Sequence, residues 1–189
     1  MELIQPIFVN QSGSTREAGL GIANSSYSQT DIIERIQKDV DLGIDSFLLF
    51  ITPDTKTWLP TWDFQAEVVN KIKNKFPTIQ LIVDVCLCST LPDGHCRVID
   101  KPDTSESLLI DLGRKLETAG ADVLAPSDMG DNTVTNLKQE TKKEVMAYVK
   151  WRSVFYSSFR DLAESSPTSG RSYQLPVDNG FGMVATANQ

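Results

Sequence analysis

Short continuous apolar runs alternate along this chain with stretches whose apolar residues recur at helical spacing. Leu3-Ile4-Gln5-Pro6-Ile7-Phe8-Val9 reads as a strand, and a polar loop with glycines at 13, 19 and 21 follows it. Ser28 and Asp31 then form a capping box ahead of Ile32, Ile33, Ile36 and Val40, and Gly43 stops that helix. Phe47-Leu48-Leu49-Phe50-Ile51 is apolar without alternation, as in a strand buried on both faces. Asp63 is placed to cap a second helix with the stripe Phe64, Val68, Val69 and Ile72. Ile79 to Cys88 reads as a third strand, and Leu108, Leu109, Leu112 and Leu116 mark a third helix ending at Gly120. A fourth strand is expected at Val123-Leu124-Ala125 and a fifth at Val145-Met146-Ala147-Tyr148-Val149. A weaker helix (133–142) lies between them, and a last helix runs through Phe155 to Glu164.

Strands alternating with helices imply a parallel sheet with crossover helices. The pattern by itself fits either a doubly wound sheet or part of a β/α barrel. No glycine-rich phosphate loop follows any strand, which counts against dinucleotide binding. At 189 residues the chain suits one domain. Its formal net charge of −7 argues against a nucleic-acid partner, and no apolar run is long enough to span a membrane. The start lacks the basic and apolar stretches of a signal peptide. From Ser165 onward the only charges are Arg171 and Asp178, so 165–189 reads as a loop and low-charge tail.

The sharpest chemical signal is Asp84-Val85-Cys86-Leu87-Cys88 followed by Cys96. On a strand, Asp84, Cys86 and Cys88 share one face, and the Pro92-Asp93-Gly94 turn brings Cys96 back toward them. Three converging thiolates suit tetrahedral zinc with a fourth position open to water or substrate. Ordinary buried thiols are the alternative; the third cysteine, beside the chain's single histidine, His95, tips the reading toward metal. An odd number of cysteines so closely spaced is a poor disulfide framework, so the cytoplasm or another reducing compartment is expected. Lys150, at the end of the fifth strand, is a candidate Schiff-base amine, although a lone lysine is more often a solvated charge. Ser127 and Asp128 follow the fourth strand, where βα loops build active sites; capping the next helix is the plainer role for either. Arg160 and Arg171 are candidate carboxylate clamps, or ordinary surface arginines.

Several of these segments together closely resemble the porphobilinogen synthase (5-aminolaevulinate dehydratase) family. They are D-V-C-L-C-x7-C at Asp84 to Cys96, G-A-D-V-L-A-P-S-D-M-G-D at Gly120 to Asp131, and F-Y-S-S-F-R-D at Phe155 to Asp161. Ser165-Ser166-Pro167, Tyr173-Gln174-Leu175-Pro176 and Gln5-Pro6-Ile7-Phe8-Val9 continue the likeness in order. The resemblance implies a TIM-like parallel β/α barrel, here one domain over 1–189 truncated to about five or six βα units. It implies tetrapyrrole (haem) biosynthesis chemistry, in which two 5-aminolaevulinate molecules condense to porphobilinogen. Cys86, Cys88 and Cys96 match the ligands of a catalytic zinc, and Lys150 matches the first of two Schiff-base lysines. Asp84 and Ser127 match catalytic polar positions, and Arg160, Arg171 and Gln174 match a substrate-side loop.

The departures are specific. No lysine follows Lys150, so the second Schiff-base lysine has no counterpart, and the family's N-terminal arm is missing. Tyr148 lies two residues before Lys150 rather than three, Ser157-Ser158 replaces Gly-Pro, and Asp93 stands where the family usually has histidine. The Gly170-Arg171-Ser172 loop is also shorter. Five βα units leave a sheet edge that invites pairing, so a homo-oligomer or a partner chain covering that edge is expected, unless the segment 180–186 supplies an extra strand. The expected function is a zinc-dependent Schiff-base lyase acting on 5-aminolaevulinate or a related amino ketone. The alternatives are a catalytically degenerate homologue serving as a structural or regulatory subunit, and a plain zinc-binding module.

Overall fold

The computed structural model describes residues 3–17, 25–128, 130, 132–147, 162–165 and 167. The strands are β1 (Ile4–Asn10), β2 (Arg16–Glu17), β3 (Ser25–Tyr27), β4 (Ser46–Thr52), β5 (Gln80–Val85), β6 (Val123–Pro126) and β7 (Glu144–Val145). The helices are α1 (Asp31–Asp41), α2 (Asp63–Lys75), α3 (Pro102–Ala119) and α4 (Thr133–Glu140). All seven strands belong to one sheet in the order β2-β3-β1-β4-β5-β6-β7. From β1 to β7 every neighbour is parallel and each new strand joins on the same side. A doubly wound sheet reverses direction at its switch point; this one does not. Its progression is that of a β/α barrel, truncated at five units among the described residues.

The two sheet faces are unequally filled. Strand side chains alternate, and Ile7, Val9, Phe47, Leu49, Ile51, Leu81, Val83, Val85 and Leu124 join the helices in one continuous core. The helical contribution comes from the anticipated stripes: Ile32 and Ile36, then Phe64, Val68, Val69 and Ile72, then Leu109, Leu112 and Leu116. Each such side chain contributes about 1.5–3 kcal/mol on burial, so this face holds the fold together. Among the described residues, the opposite face, which would line a barrel interior, carries two small clusters. Phe8 and Phe50 stack with ring centroids 4.9 Å apart, covered by Leu162 and Ala163, while Ile82, Val123 and Ala125 sit beside Leu48 and Met146.

Local chemistry explains where the elements stop. The Ser28 hydroxyl accepts a 3.1 Å bond from the Asp31 N–H at the start of α1. Gly43 (φ +88°) and Gly120 (φ +108°) turn the chain after α1 and α3 in the left-handed conformation that glycine tolerates. Asp63 is the first residue of α2 rather than its cap; its carboxylate instead accepts a 2.9 Å bond from Lys115 on α3. The loop expected after β1 contains β2 and β3. Their residues lack an apolar pattern, and Asn10 secures them by donating to the Ser26 carbonyl and hydroxyl at 3.0 Å and to the Ser14 carbonyl at 3.1 Å. No described helix is long and apolar enough to cross a membrane.

Candidate metal centre

The third strand ends at Val85, three residues earlier than its apolar run predicts. Beyond it the chain turns tightly, the Thr90 and Leu91 N–H groups each donating to the Leu87 carbonyl at 2.9 Å. Cys86 and Cys88 therefore meet through a turn, not through strand alternation. The Gly94 N–H donates to the Leu91 carbonyl at 3.1 Å and the His95 N–H to the Asp93 carboxylate at 3.0 Å, and this second turn returns Cys96 to the pair. All three sulfurs lie within 4.8 Å of one another. Cys86 donates a thiol hydrogen bond to Cys88 across 3.3 Å, and all three cysteines are free and buried.

A tetrahedral ion with ~2.3 Å metal–sulfur bonds holds its sulfurs about 3.8 Å apart, so the cluster needs little rearrangement to grip one. Its electrostatics point the same way. The Cys88 and Cys96 sulfurs, together with burial, push the Cys86 thiol well above its ordinary pKa. Three thiolates cannot share this space without a cation, and a bound dication removes that penalty. The donor set, three soft thiols with one coordination position left over, is the kind zinc accepts. His95, expected to reinforce the cluster, is fully buried, but its ring nitrogens are not in the donor group.

The carboxyl end of β6 lies alongside. Asp84 is in register with Ala125 and Val85 with Pro126, and the Ser127 N–H extends the ladder by donating to the Val85 carbonyl at 3.3 Å. Asp84, Cys86 and Ser127 thus stand at adjacent strand ends on one rim of the sheet. The Ser127 hydroxyl is completely buried and makes no hydrogen bond among the described residues. A polar atom carried out of water without a partner is costly in a plain core and typical of a site that binds something. Lys150, Arg160, Arg171 and Gln174 lie outside the described residues, as do the segment 180–186 and most of the expected last helix.

Two charged residues that the sequence pattern did not single out anchor the cysteine loop. Lys56, in the loop after β4, donates to the Ser89 carbonyl, and burial lowers its pKa. Arg97, directly after Cys96, is buried and donates to Asp128 at 2.8 Å. The same Asp128 oxygen accepts 2.8 Å and 3.2 Å bonds from the Thr133 hydroxyl and the Gly130 N–H. Burial pushes the Asp128 carboxyl up to about 6, against the opposing pull of the Arg97 charge. The available signal was a charge lodged in an otherwise buried stretch, His95-Cys96-Arg97. Depressions of about 590 and 450 Å³ lie elsewhere, the first between α2 and α3 and the second between α1 and the residues Thr15 and Tyr27.

A parallel β/α-barrel sheet with three converging thiols at its carboxyl rim, able to hold a metal ion, defines a class of barrel proteins with a candidate thiolate site. Within that class the family is specific. The family model for delta-aminolevulinic acid dehydratase matches residues 1–188, and the chain belongs to that family. The dehydratase of Halalkalibacterium halodurans is 32% identical over 205 residues, and that of Bacillus subtilis 31%. These alignments cover 98% of this chain but only 62% and 63% of the relatives, so it spans less than two thirds of their length. The crystal structure of the Toxoplasma gondii enzyme, solved with the reaction product porphobilinogen, superposes with a TM-score of 0.88 at 26% identity. That match takes in 98% of this chain and 59% of the other.

Proposed function

We propose that this chain carries the metal-binding portion of a porphobilinogen-synthase-type lyase, acting on 5-aminolaevulinate or a related amino ketone in tetrapyrrole synthesis. The observation that carries the reading is the convergence of Cys86, Cys88 and Cys96 beside Ser127 and Asp84 at one rim. The three sulfurs would hold zinc, which when bound supplies a Lewis acid for a substrate carbonyl. Ser127 offers a desolvated hydroxyl to orient a substrate oxygen, and Asp84 a carboxylate to accept or return a proton. Lys150, which the family resemblance assigns as the Schiff-base amine, attacks the ketone to form an imine and releases water. Arg160, Arg171 and Gln174 would then engage the substrate's carboxylate.

An eight-stranded barrel needs strands beyond β7, and we infer that in the working enzyme further strands pair with that edge and bring a second amine. The intact cysteine trio disfavours a purely structural subunit, which would have no use for three convergent thiols. Incubation with zinc and 5-aminolaevulinate followed by borohydride should leave a mass adduct on Lys150, and porphobilinogen should appear when the strands that complete the barrel are present. Recovery of the unmodified mass from zinc-loaded protein sinks the catalytic reading.

A further inference from the structure

The cluster formed by Arg97, Asp128, Gly130 and Thr133 joins the cysteine loop to the βα loop that follows β6. Arg97 is 7% exposed and Asp128 1%, so the pair is closed off from water. Its geometry is over-determined. One guanidinium nitrogen donates to Asp128 at 2.8 Å and to the Thr133 hydroxyl at 3.3 Å, while another lies 3.6 Å from Glu106 on α3. Glu106 in turn accepts a 3.1 Å bond from Asn136 on α4. The space the guanidinium fills exists because residue 130 is glycine. A Cβ there would lie 1.5 Å from the Arg97 nitrogen and 2.7 Å from its central carbon. No left-handed backbone demands glycine at that position, so a missing side chain, not a special φ, is what the arrangement requires.

The cysteine loop also has the opposite need for support. Cys96 is the one sulfur of the trio far in sequence from the other two, and it reaches them through a turn containing Asp93 and Gly94. Arg97 is its covalent neighbour. We propose that Arg97, seated in the Gly130 cradle and gripped by Asp128, is a positioning residue that holds the Cys96 sulfur in the metal-binding arrangement and fixes the cysteine loop relative to Ser127. Groups one shell removed from a metal ligand typically change affinity by about 10–100-fold when they are lost. The proposal rests on the reading of the three thiols as a metal site.

The test is metal binding by the purified full chain under reducing conditions. Zinc affinity is measured by competition with a chromophoric chelator, and the sulfur geometry by the thiolate-to-metal absorption of the cobalt-substituted protein. Arg97→Met removes the guanidinium; Gly130→Ala keeps every charge but evicts the guanidinium from its seat. Both should weaken zinc binding by roughly 10–100-fold and alter the cobalt spectrum. The double variant should be no weaker than the worse single one, because both changes break the same contact. Arg97→Lys, which retains charge without the planar fork, should fall between wild type and Arg97→Met. Unchanged zinc affinity and cobalt spectrum in folded Arg97→Met and Gly130→Ala overturn the proposal, even if their thermal midpoints drop. Loss of folding in all three single variants also overturns it, since the cluster is then a folding element only. A wild-type chain that binds neither metal defeats the metal-site reading itself.

Discussion

Strand β6 is bracketed by two carboxylates, and the contrast between them separates scaffold from site. Asp122, just before the strand, accepts a 2.7 Å bond from Lys73 and a 2.8 Å bond from the Leu81 N–H. Lys73 also donates to the Ile79 carbonyl at 2.8 Å, so the pair ties the end of α2 to the starts of β5 and β6. Its side chains remain 16% and 35% exposed, so water still screens it. Asp128, just past the strand, sits with Arg97 in near-complete burial, within the electrostatic reach of the Cys96 sulfur and next to a hydroxyl without a partner among the described residues. An ion pair at the amino end can be modest and replaceable, whereas one at the carboxyl end leaves a stranded charge when either half is removed.

Three measurements test that contrast. The largest effect belongs to Arg97→Met, which should cost about 3–5 kcal/mol in urea unfolding of the metal-free protein at pH 7. A loss below about 1 kcal/mol would show that the pair is solvated and dissolve the distinction between the two ends. An intermediate effect is expected from pH. The folded Asp128 carboxyl takes its proton near 6 and the unfolded one near 3.8, so between those values the folded state binds more protons. Stability of the wild type should therefore fall as pH rises from about 4 to about 6 relative to Asp128→Asn, whose profile lacks this group. Parallel profiles for the two proteins would place the carboxyl in a water-like environment. The smallest effect is that of Lys73→Met at the other end, about 0.5–1 kcal/mol and diminishing with added salt. A cost as large as that of Arg97→Met would remove the asymmetry.

What the sequence made legible was whatever depends on near neighbours along the chain. The α2 stripe was read residue for residue, as were the glycine stops at Gly43 and Gly120, because period and termination are local properties. The cysteine cluster was also legible, though through the wrong geometry. Strand alternation was assigned to Cys86 and Cys88, yet the ladder ends at Val85 and a turn at Leu87 does the gathering. The apolar run through Cys88 conceals that boundary, since buried turns and buried strands share a composition.

The contacts missed were those set by tertiary distance. Arg97 and Asp128 are 31 residues apart, and nothing at either position announces the other. Lys56 meets Ser89 across 33 residues. The strands β2 and β3 were invisible because side-chain hydrogen bonds from Asn10, not an apolar face, secure them. Between a doubly wound sheet and a barrel, the periodic pattern had no power to choose. Strand order, a property of the assembled sheet, decided it.

Among the described residues the hydroxyl of Ser127 lies buried with no hydrogen-bonding neighbour, before any guest arrives. A visiting molecule that brings an oxygen or nitrogen to that spot exchanges its own water for a bond already cleared of competition. A look-alike lacking the atom gains shape but leaves the serine as stranded as before. Under the proposed function, discrimination among closely similar ketones would be written into the resting protein by one side chain's isolation.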